Sequence, residues 1–285
     1  LGVTNESYYA HTLVTNNDFL LHNRNHLLMG RKKKKVQKMK QPHKSGEPFR
    51  VMELFPTIQG EGSDIGRKTI FLRLYGCNLA CVWCDTAHSW DENLYHEGIY
   101  TSMSLALLEA KIKLLAEEHR IKDLVITGGE PLLHNHTDLA VLLDRLRRRT
   151  VIDGVTFETN GTIIPRRELK NEVKLFSVSP KLKSSGNPAY NPNMLTKWIN
   201  RMPIGVLQLK FVISHIEDAV EVAGLIKKAG EGARYVPIIF QPEESANNYT
   251  ELPDIIRTAF AHHYMDERHY DIRFIPQVHK LYGIR

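Results

Sequence analysis

From Phe49 onward, short β-branched and aromatic runs alternate with stretches whose apolar residues recur at helical spacing. Residues 69–75 open on Thr, Ile and Phe and predict a strand. Leu105, Leu108, Ile112 and Leu115 are spaced three and four apart, which predicts a helix capped by Thr101 or Ser102. Residues 123–127 form a short apolar strand that runs into Gly128-Gly129, and Leu139, Leu142, Leu143 and Leu146 mark the next helical face. Further strands are expected at 155–158, 173–178, 206–213, 234–240 and 271–275, with helices at 217–228 and 252–263. Strand–helix repetition of this kind makes an α/β fold with a parallel sheet, about six strands here, and helical crossovers. In such folds ligands gather at the carboxyl ends of the strands. The chemically unusual residues fall there: Cys77, Thr127-Gly-Gly-Glu130, Glu158-Thr-Asn-Gly161 and Ser179-Pro-Lys181.

Charge divides the chain. The 285 residues carry a formal net charge of +6. Residues 1–50 hold ten Lys or Arg against three acids, or +7, so the remainder is −1. Seven of the ten residues 31–40 are basic. A nucleic-acid-binding arm is one reading of such a block, and a solvated, disordered extension is the other and the preferred one. Residues 1–45 are therefore expected to be a disordered basic extension, with Met29 or Met39 as alternative natural starts. Residues 46–48 are the expected hinge into a catalytic domain at 46–285. No apolar run is long enough to span a membrane and no secretory leader is evident, so a cytoplasmic location is expected.

All three cysteines lie in Cys77-Asn-Leu-Ala-Cys81-Val-Trp-Cys84, directly after a predicted strand. Buried structural thiols have no reason to cluster in one loop, whereas thiolates suit zinc and iron–sulfur clusters. A 4Fe-4S cluster held by three cysteines keeps one iron open to a small molecule. A structural zinc would need a fourth ligand such as His88.

The CxxxCxxC loop followed by Thr127-Gly-Gly-Glu-Pro131 resembles the radical S-adenosylmethionine (SAM) superfamily. That resemblance implies a partial (β/α) barrel, a 4Fe-4S cluster on Cys77, Cys81 and Cys84, and SAM as the source of a deoxyadenosyl radical. The stretches Glu53–Gly62, Phe71–Cys77, Cys84–Thr86, Glu158–Gly161, Ser177–Lys181, Leu209–Ile213 and Pro276–Lys280 are similar in order and spacing to the 7-carboxy-7-deazaguanine synthase family of queuosine and deazapurine biosynthesis. The likeness covers residues 49–285. It implies ring contraction of 6-carboxy-5,6,7,8-tetrahydropterin with loss of ammonia, dependence on Mg2+, a reductant such as flavodoxin or ferredoxin, and a homodimer. Nucleic acid is not required for catalysis.

Carried across, the family's roles put Trp83, Cys84, Asp85, Gly129, Ser179, Pro180, Lys181, Gln241, Pro242, Glu243 and Glu244 against SAM. Thr86 takes Mg2+, an ion suited to oxygen ligands. Ile58, Gln59, Gly60, Glu61, Arg73, Thr127, His279 and the carboxylate of Arg285 face the pterin. Arg73 is matched to the substrate carboxylate, because a guanidinium fork suits that group. Alternation sets Arg73 on the face opposite Leu72 and Leu74, either barrel interior or solvent. Asp85 and Thr86 also read as turn caps, and Glu158 and Lys210 as structural hydrogen-bond or ion-pair partners away from the ligands. The cysteine spacing is the short one, where some family members carry an insertion, and residues 89–100 read as an added loop in which Trp90 and Tyr95 pack. Two other functions fit parts of the pattern: an activase that makes a glycyl radical on a partner protein, and a nucleic-acid-binding metalloprotein using the basic head and zinc.

Overall fold

Thr57, Ile58, Gln59 and Glu61 reach one face of the molecule because β1 (Phe49–Ile58) turns back on β2 (Lys68–Leu74) as an antiparallel hairpin. The turn is closed by Gln59 N–H to the Arg67 carbonyl and Gly66 N–H to the Gln59 carbonyl, both 2.8 Å. The structure is a computed structural model that describes residues 43–91, 100–243 and 251–284. The basic run 31–40, Tyr95, Glu244 and Arg285 lie outside the described residues.

β3 (Thr101–Met103) pairs with the outer side of β1 over Phe49–Val51 only. Pro56 then lies in a part of β1 with no described strand on its outer side, which is where a sheet tolerates a residue lacking an N–H. From β2 onward the strands run parallel: β4 (Asp123–Gly128), β5 (Gly154–Thr159), β6 (Leu175–Val178), β7 (Leu207–Ile213), β8 (Ile238–Pro242) and β9 (Ile272–Phe274). The sheet order is β3-β1-β2-β4-β5-β6-β7-β8-β9, open at β3 and β9, so the barrel is partial.

Helices α1 (Leu105–His119), α2 (His136–Arg148), α3 (Arg167–Lys170), α4 (Pro192–Arg201), α5 (Ile216–Ala229), α6 (Leu252–His262) and α7 (Val278–Leu281) complete the described elements. No described helix is long and apolar enough to cross a membrane. The cap of α1 is Ser104, whose hydroxyl accepts the Leu107 N–H at 3.3 Å. Thr101 and Ser102, the expected caps, belong to β3 instead, because pairing with β1 satisfies their backbone. The 234–240 strand starts later, at Ile238, after a 3-10 turn over Glu231–Tyr235. Folded contacts reach back past the expected boundary at 45/46: His43 is buried with its N–H on the Leu133 carbonyl (3.0 Å), and the Ser45 hydroxyl and the Gly46 N–H both donate to Asp138 on α2, at 3.0 and 2.8 Å.

Period-two alternation decides which face of β2 does chemistry. Ile70, Leu72 and Leu74 are at most 1% exposed and join Leu108, Ile112, Leu139, Leu142 and Leu143 in the apolar core. Phe71 and Arg73 point the other way, into a cavity at the carboxyl end of the sheet.

A second packing unit braces that end. The indole N–H of Trp198 on α4 and the hydroxyl of Tyr190 both donate to the Gly161 carbonyl, at 2.9 and 2.8 Å, just beyond β5. Trp198 is fully buried, its ring centroid 5.3 Å from that of Phe176. Truncation of a buried aromatic costs about 3–5 kcal/mol. Trp198→Ala is expected to lower the unfolding free energy by that amount, read by equilibrium unfolding as a lower urea midpoint at an unchanged m value.

Candidate active site

Cys77 stands three residues beyond the end of β2, and the backbone that leaves β4 crosses directly over its approach. Gly129 N–H donates to the Leu74 carbonyl (3.1 Å) and Glu130 N–H to the Gly76 carbonyl (2.8 Å). Gly128 has φ of +136°, and a Cβ on either glycine would collide with the backbone of Leu74 or Gly76. Only glycine permits that approach.

Glu130 extends the crossing to the next strand. It is fully buried and accepts from the Leu132 N–H (2.9 Å), the Asn160 N–H (2.7 Å) and the Thr159 hydroxyl (2.8 and 2.9 Å). Burial pushes its carboxyl up to about 7, against the pull of these hydrogen bonds and of Lys181. Asn160 in turn donates to the Asn78 side chain at 2.8 Å, fixing the start of the cysteine loop. From the other side Asn187 accepts the Ala80 N–H (3.0 Å), and the Ser185 carbonyl accepts the Val82 N–H (2.9 Å).

Each cysteine sulfur meets an N–H donor. Cys77 Sγ accepts from the Leu79 backbone at 3.4 Å, Cys81 Sγ from Asn187 Nδ2 at 3.1 Å and Cys84 Sγ from Trp90 Nε1 at 3.3 Å. Burial pushes the Cys77 thiol up to about 12, opposed by the Leu79 N–H. It raises Cys81 too, opposed by the charge of Lys181 and the Asn187 hydrogen bond. Donors aimed at buried sulfurs suit thiolates bound to metal. Among the described residues no three His, Cys, Asp or Glu side chains converge on a single ion, so His88 does not complete a mononuclear zinc site. A cubane asks less, since each thiolate binds a different iron. The donor set fits a 4Fe-4S cluster, which Cys77, Cys81 and Cys84 would hold with one iron left without a protein ligand.

Of the residues expected against the cluster, SAM and Mg2+, Cys77, Cys81, Trp83, Cys84, Asp85, Thr86, Gly129, Ser179, Lys181, Gln241 and Glu243 all line one cavity. Ile58, Gln59, Gly60, Glu61, Arg73, Thr127 and His279, expected against the substrate, line the same cavity. Pro180 and Pro242 are buried but do not reach this wall; Pro242 comes directly after inward-facing Gln241 on β8, so alternation turns it away. Thr86 donates its hydroxyl to Asp85 (2.8 Å) and makes no side-chain cap bond to the 3-10 turn beyond it. Lys181 donates to the Ser179 hydroxyl (3.0 Å) and lies 5.5 Å from the Trp83 ring centroid. Trp83 Nε1 is buried without a hydrogen-bond partner among the described residues.

Arg73 pairs through Nε with Glu53 at 2.7 Å, its neighbour across the hairpin, and faces the interior. Glu158, expected to be a structural partner only, also faces the cavity. Its two oxygens accept from Gln59 Nε2 (3.0 Å) and the Thr127 hydroxyl (2.9 Å). Lys210 lines the wall too and is ion-paired with Glu61, which also accepts from Gln277 (2.6 Å) and Gln241 (3.4 Å). Strand alternation is a usable signal for Lys210, but β7 is buried on both faces and its polarity pattern is weak. Trp90, expected only to pack, reaches the wall as well, as do Gln277 and Lys280 from the Pro276–Lys280 stretch that carried part of the resemblance. The Val278 N–H donates to the Gly60 carbonyl (3.0 Å), and His279 packs so closely on Gly60 that a Cβ there would strike its ring.

Burial alone would raise the Glu61 carboxyl, yet the Lys210 charge and the hydrogen bonds from Lys210 and Gln277 hold it at about 2. Burial opposes the Lys210 charge, and Glu61 and Glu158 more than restore it, so Lys210 stays protonated. The folded-state pKa of Glu61 lies below the ordinary 4.5, so its contribution to stability is complete above pH 4.5 and is lost as pH falls toward 2. Glu61→Gln is expected to flatten that acid-side loss. At pH 7 it leaves Lys210 charged and unpaired, costing about 3–5 kcal/mol. Adding Lys210→Met should recover most of this, as read from urea unfolding between pH 3 and 7.

Residues 72–181 match the model of the radical SAM superfamily. The 7-carboxy-7-deazaguanine synthase of Pyrobaculum aerophilum is 34% identical over 202 residues, covering 68% of this chain and 82% of that protein. Its counterpart in Aquifex aeolicus is 30% identical over 82% of this chain and 93% of its own length. The crystal structure of QueE from Escherichia coli superposes with a TM-score of 0.60 at 27% identity, over 81% of this chain and 95% of that one. With the cysteine loop, the glycine crossing and the partial barrel in place, these likenesses show that the chain belongs to the 7-carboxy-7-deazaguanine synthase family of radical SAM enzymes.

Proposed function

We propose that this chain converts 6-carboxy-5,6,7,8-tetrahydropterin to 7-carboxy-7-deazaguanine with release of ammonia, using a 4Fe-4S cluster, SAM and Mg2+. The observation that carries the reading is the meeting, in one cavity, of a three-cysteine loop and a row of fixed polar side chains, Arg73, Thr127 and Glu158. When bound, the cluster and SAM supply a deoxyadenosyl radical that takes a hydrogen atom from the pterin, with the electron coming from a reductant such as flavodoxin or ferredoxin.

The chain's own residues bind, orient and shield. Cys77, Cys81 and Cys84 hold the cluster. Gly129 lets backbone approach SAM, and Trp83, Asp85, Ser179, Lys181, Gln241 and Glu243 form the rest of its pocket. Arg73, steadied by Glu53 at Nε, offers its remaining guanidinium donors to the substrate carboxylate. Gln59, Glu61, Thr127 and His279 face the ring system. Glu158 joins them on this reading, since its carboxylate lies on the same wall and is oriented by Gln59 and Thr127. Thr86 serves Mg2+, supported by a hydroxyl on the cavity wall that no cap bond consumes. Holding the substrate in one pose matters because the radical reacts with whatever lies nearest.

The direct test is anaerobic turnover of reconstituted, reduced protein with SAM, Mg2+ and the carboxytetrahydropterin, read by mass spectrometry. Formation of 7-carboxy-7-deazaguanine is expected; deoxyadenosine without any deazapurine would reject the substrate. Arg73→Ala should keep its cluster and bind the pterin roughly 10- to 100-fold more weakly, the loss of about 1.5–3 kcal/mol typical of a charged hydrogen bond. Cys81→Ala should lose the iron and acid-labile sulfide altogether.

A further inference from the structure

We propose that Trp90 and Asn187 are positioning residues that set the reduction potential of the cluster by donating N–H hydrogen bonds to two of its thiolate ligands. The proposal rests on the iron–sulfur reading of the three cysteines and goes beyond it, since neither residue contacts the substrate on that reading.

The two donors reach the sulfurs from different parts of the fold. Trp90 comes directly after the 3-10 turn Ala87–Ser89 and is held by its own N–H to the Ala87 carbonyl (3.1 Å). Its indole Nε1 then lies 3.3 Å from Cys84 Sγ. Asn187 sits in the segment after β6. Its Oδ1 accepts the Ala80 N–H at 3.0 Å, and this fixes the amide orientation so that Nδ2 points at Cys81 Sγ, 3.1 Å away. Nδ2 also reaches the Ser185 hydroxyl at 3.1 Å. A free thiol gains little from an N–H donor, being a weak acceptor. A metal-bound thiolate carries negative charge, and the donor stabilises it more.

The direction of the effect is set by charge. One-electron reduction places an additional negative charge on the cluster and its sulfurs. An N–H aimed at sulfur stabilises the reduced form more than the oxidised form and so raises the potential. Cys77 differs from its partners: its nearer donor is the Leu79 backbone N–H, which no side-chain substitution removes, while Asn160 Nδ2 stands off at 3.9 Å. The side-chain control of the potential therefore falls on Cys81 and Cys84. Such control matters to an enzyme that must accept an electron from an external donor yet pass it on only when SAM is bound.

The test is a reductive titration of reconstituted full-length protein monitored by electron paramagnetic resonance, with iron and sulfide measured in every sample. Trp90→Phe keeps an aromatic ring and removes the indole N–H. Asn187→Leu removes the second donor, and Tyr190→Phe is the control, since it deletes a buried hydrogen bond near the site but touches no sulfur. At the wild-type midpoint, the reduced-to-oxidised ratio is expected to fall about tenfold in Trp90→Phe and in Asn187→Leu, a shift of about 59 mV to more negative potential for a one-electron couple. Tyr190→Phe should titrate with the wild type. Identical midpoints in Trp90→Phe and the wild type at equal cluster content would overturn the proposal, as would an equal shift in Tyr190→Phe. Wild-type protein that assembles no iron–sulfur cluster would instead reject the reading beneath it.

Discussion

Two backbones cross without a side chain between them where Gly128 and Gly129 pass over Leu74 and Gly76, and the cysteine loop is referenced to that crossing. The strands β2 and β4 are already paired there, Leu74 with Gly128, so the sheet delivers both chains to the same point. From the crossing, hydrogen bonds run in a closed circuit. Glu130 leaves the crossing and takes hold of the end of β5, and Asn160 returns from β5 to Asn78 in the cysteine loop. Glu130 and Asn160 are buried, and a buried polar group that loses its partner has no water to replace it, so the pieces must be satisfied together.

The cavity floor obeys a different logic. It holds buried Lys210 and half-buried Glu61 and Glu158 in a region where an isolated charge is costly. The solution is a polar chain running from Thr127 through Glu158 and Gln59 to the Glu61–Lys210 pair, and on to Gln241 and Gln277. It links β4, β5, the β1–β2 turn, β7, β8 and the segment before α7. Such a network is a poor source of stability beside an apolar core of equal volume, but it holds donors and acceptors in fixed directions toward a ligand.

Much of the cofactor end was legible in the sequence because its signals are local. Cys77, Cys81 and Cys84 sit within one loop, and Gly128-Gly129-Glu130 is contiguous at a strand end. The face of α2 was equally plain, since Leu139, Leu142, Leu143 and Leu146 are all buried as their spacing predicts. β1 was hidden by Pro56, and α4 by a start at Asn191-Pro192 that reads as a turn. The sulfur donors Trp90 and Asn187 were invisible for another reason. Asn187 is 106 residues from Cys81, and nothing in the composition of either segment says that they meet. Glu158 and Lys210 lie on strands buried on both faces, where alternation sets them opposite their apolar neighbours but does not say that the face they share borders a cavity.

The sequence distance between partners also orders events in time. The contacts that hold the cysteine loop come from Trp90, Asn160 and Asn187, so these neighbours are all present once residue 187 is available. The Glu61 side of the cavity waits for Gln277 and His279, about ninety residues later, because these close on Glu61 and Gly60. A chain that emerges from the ribosome amino end first thus has every neighbour of its cysteine loop well before the residues that close over Glu61 and Gly60. What closes last is therefore the lid of the cavity and not its cysteine wall: the carboxyl-terminal residues Gln277 and His279 settle on Glu61 and Gly60 after every neighbour of the cysteine loop has been made.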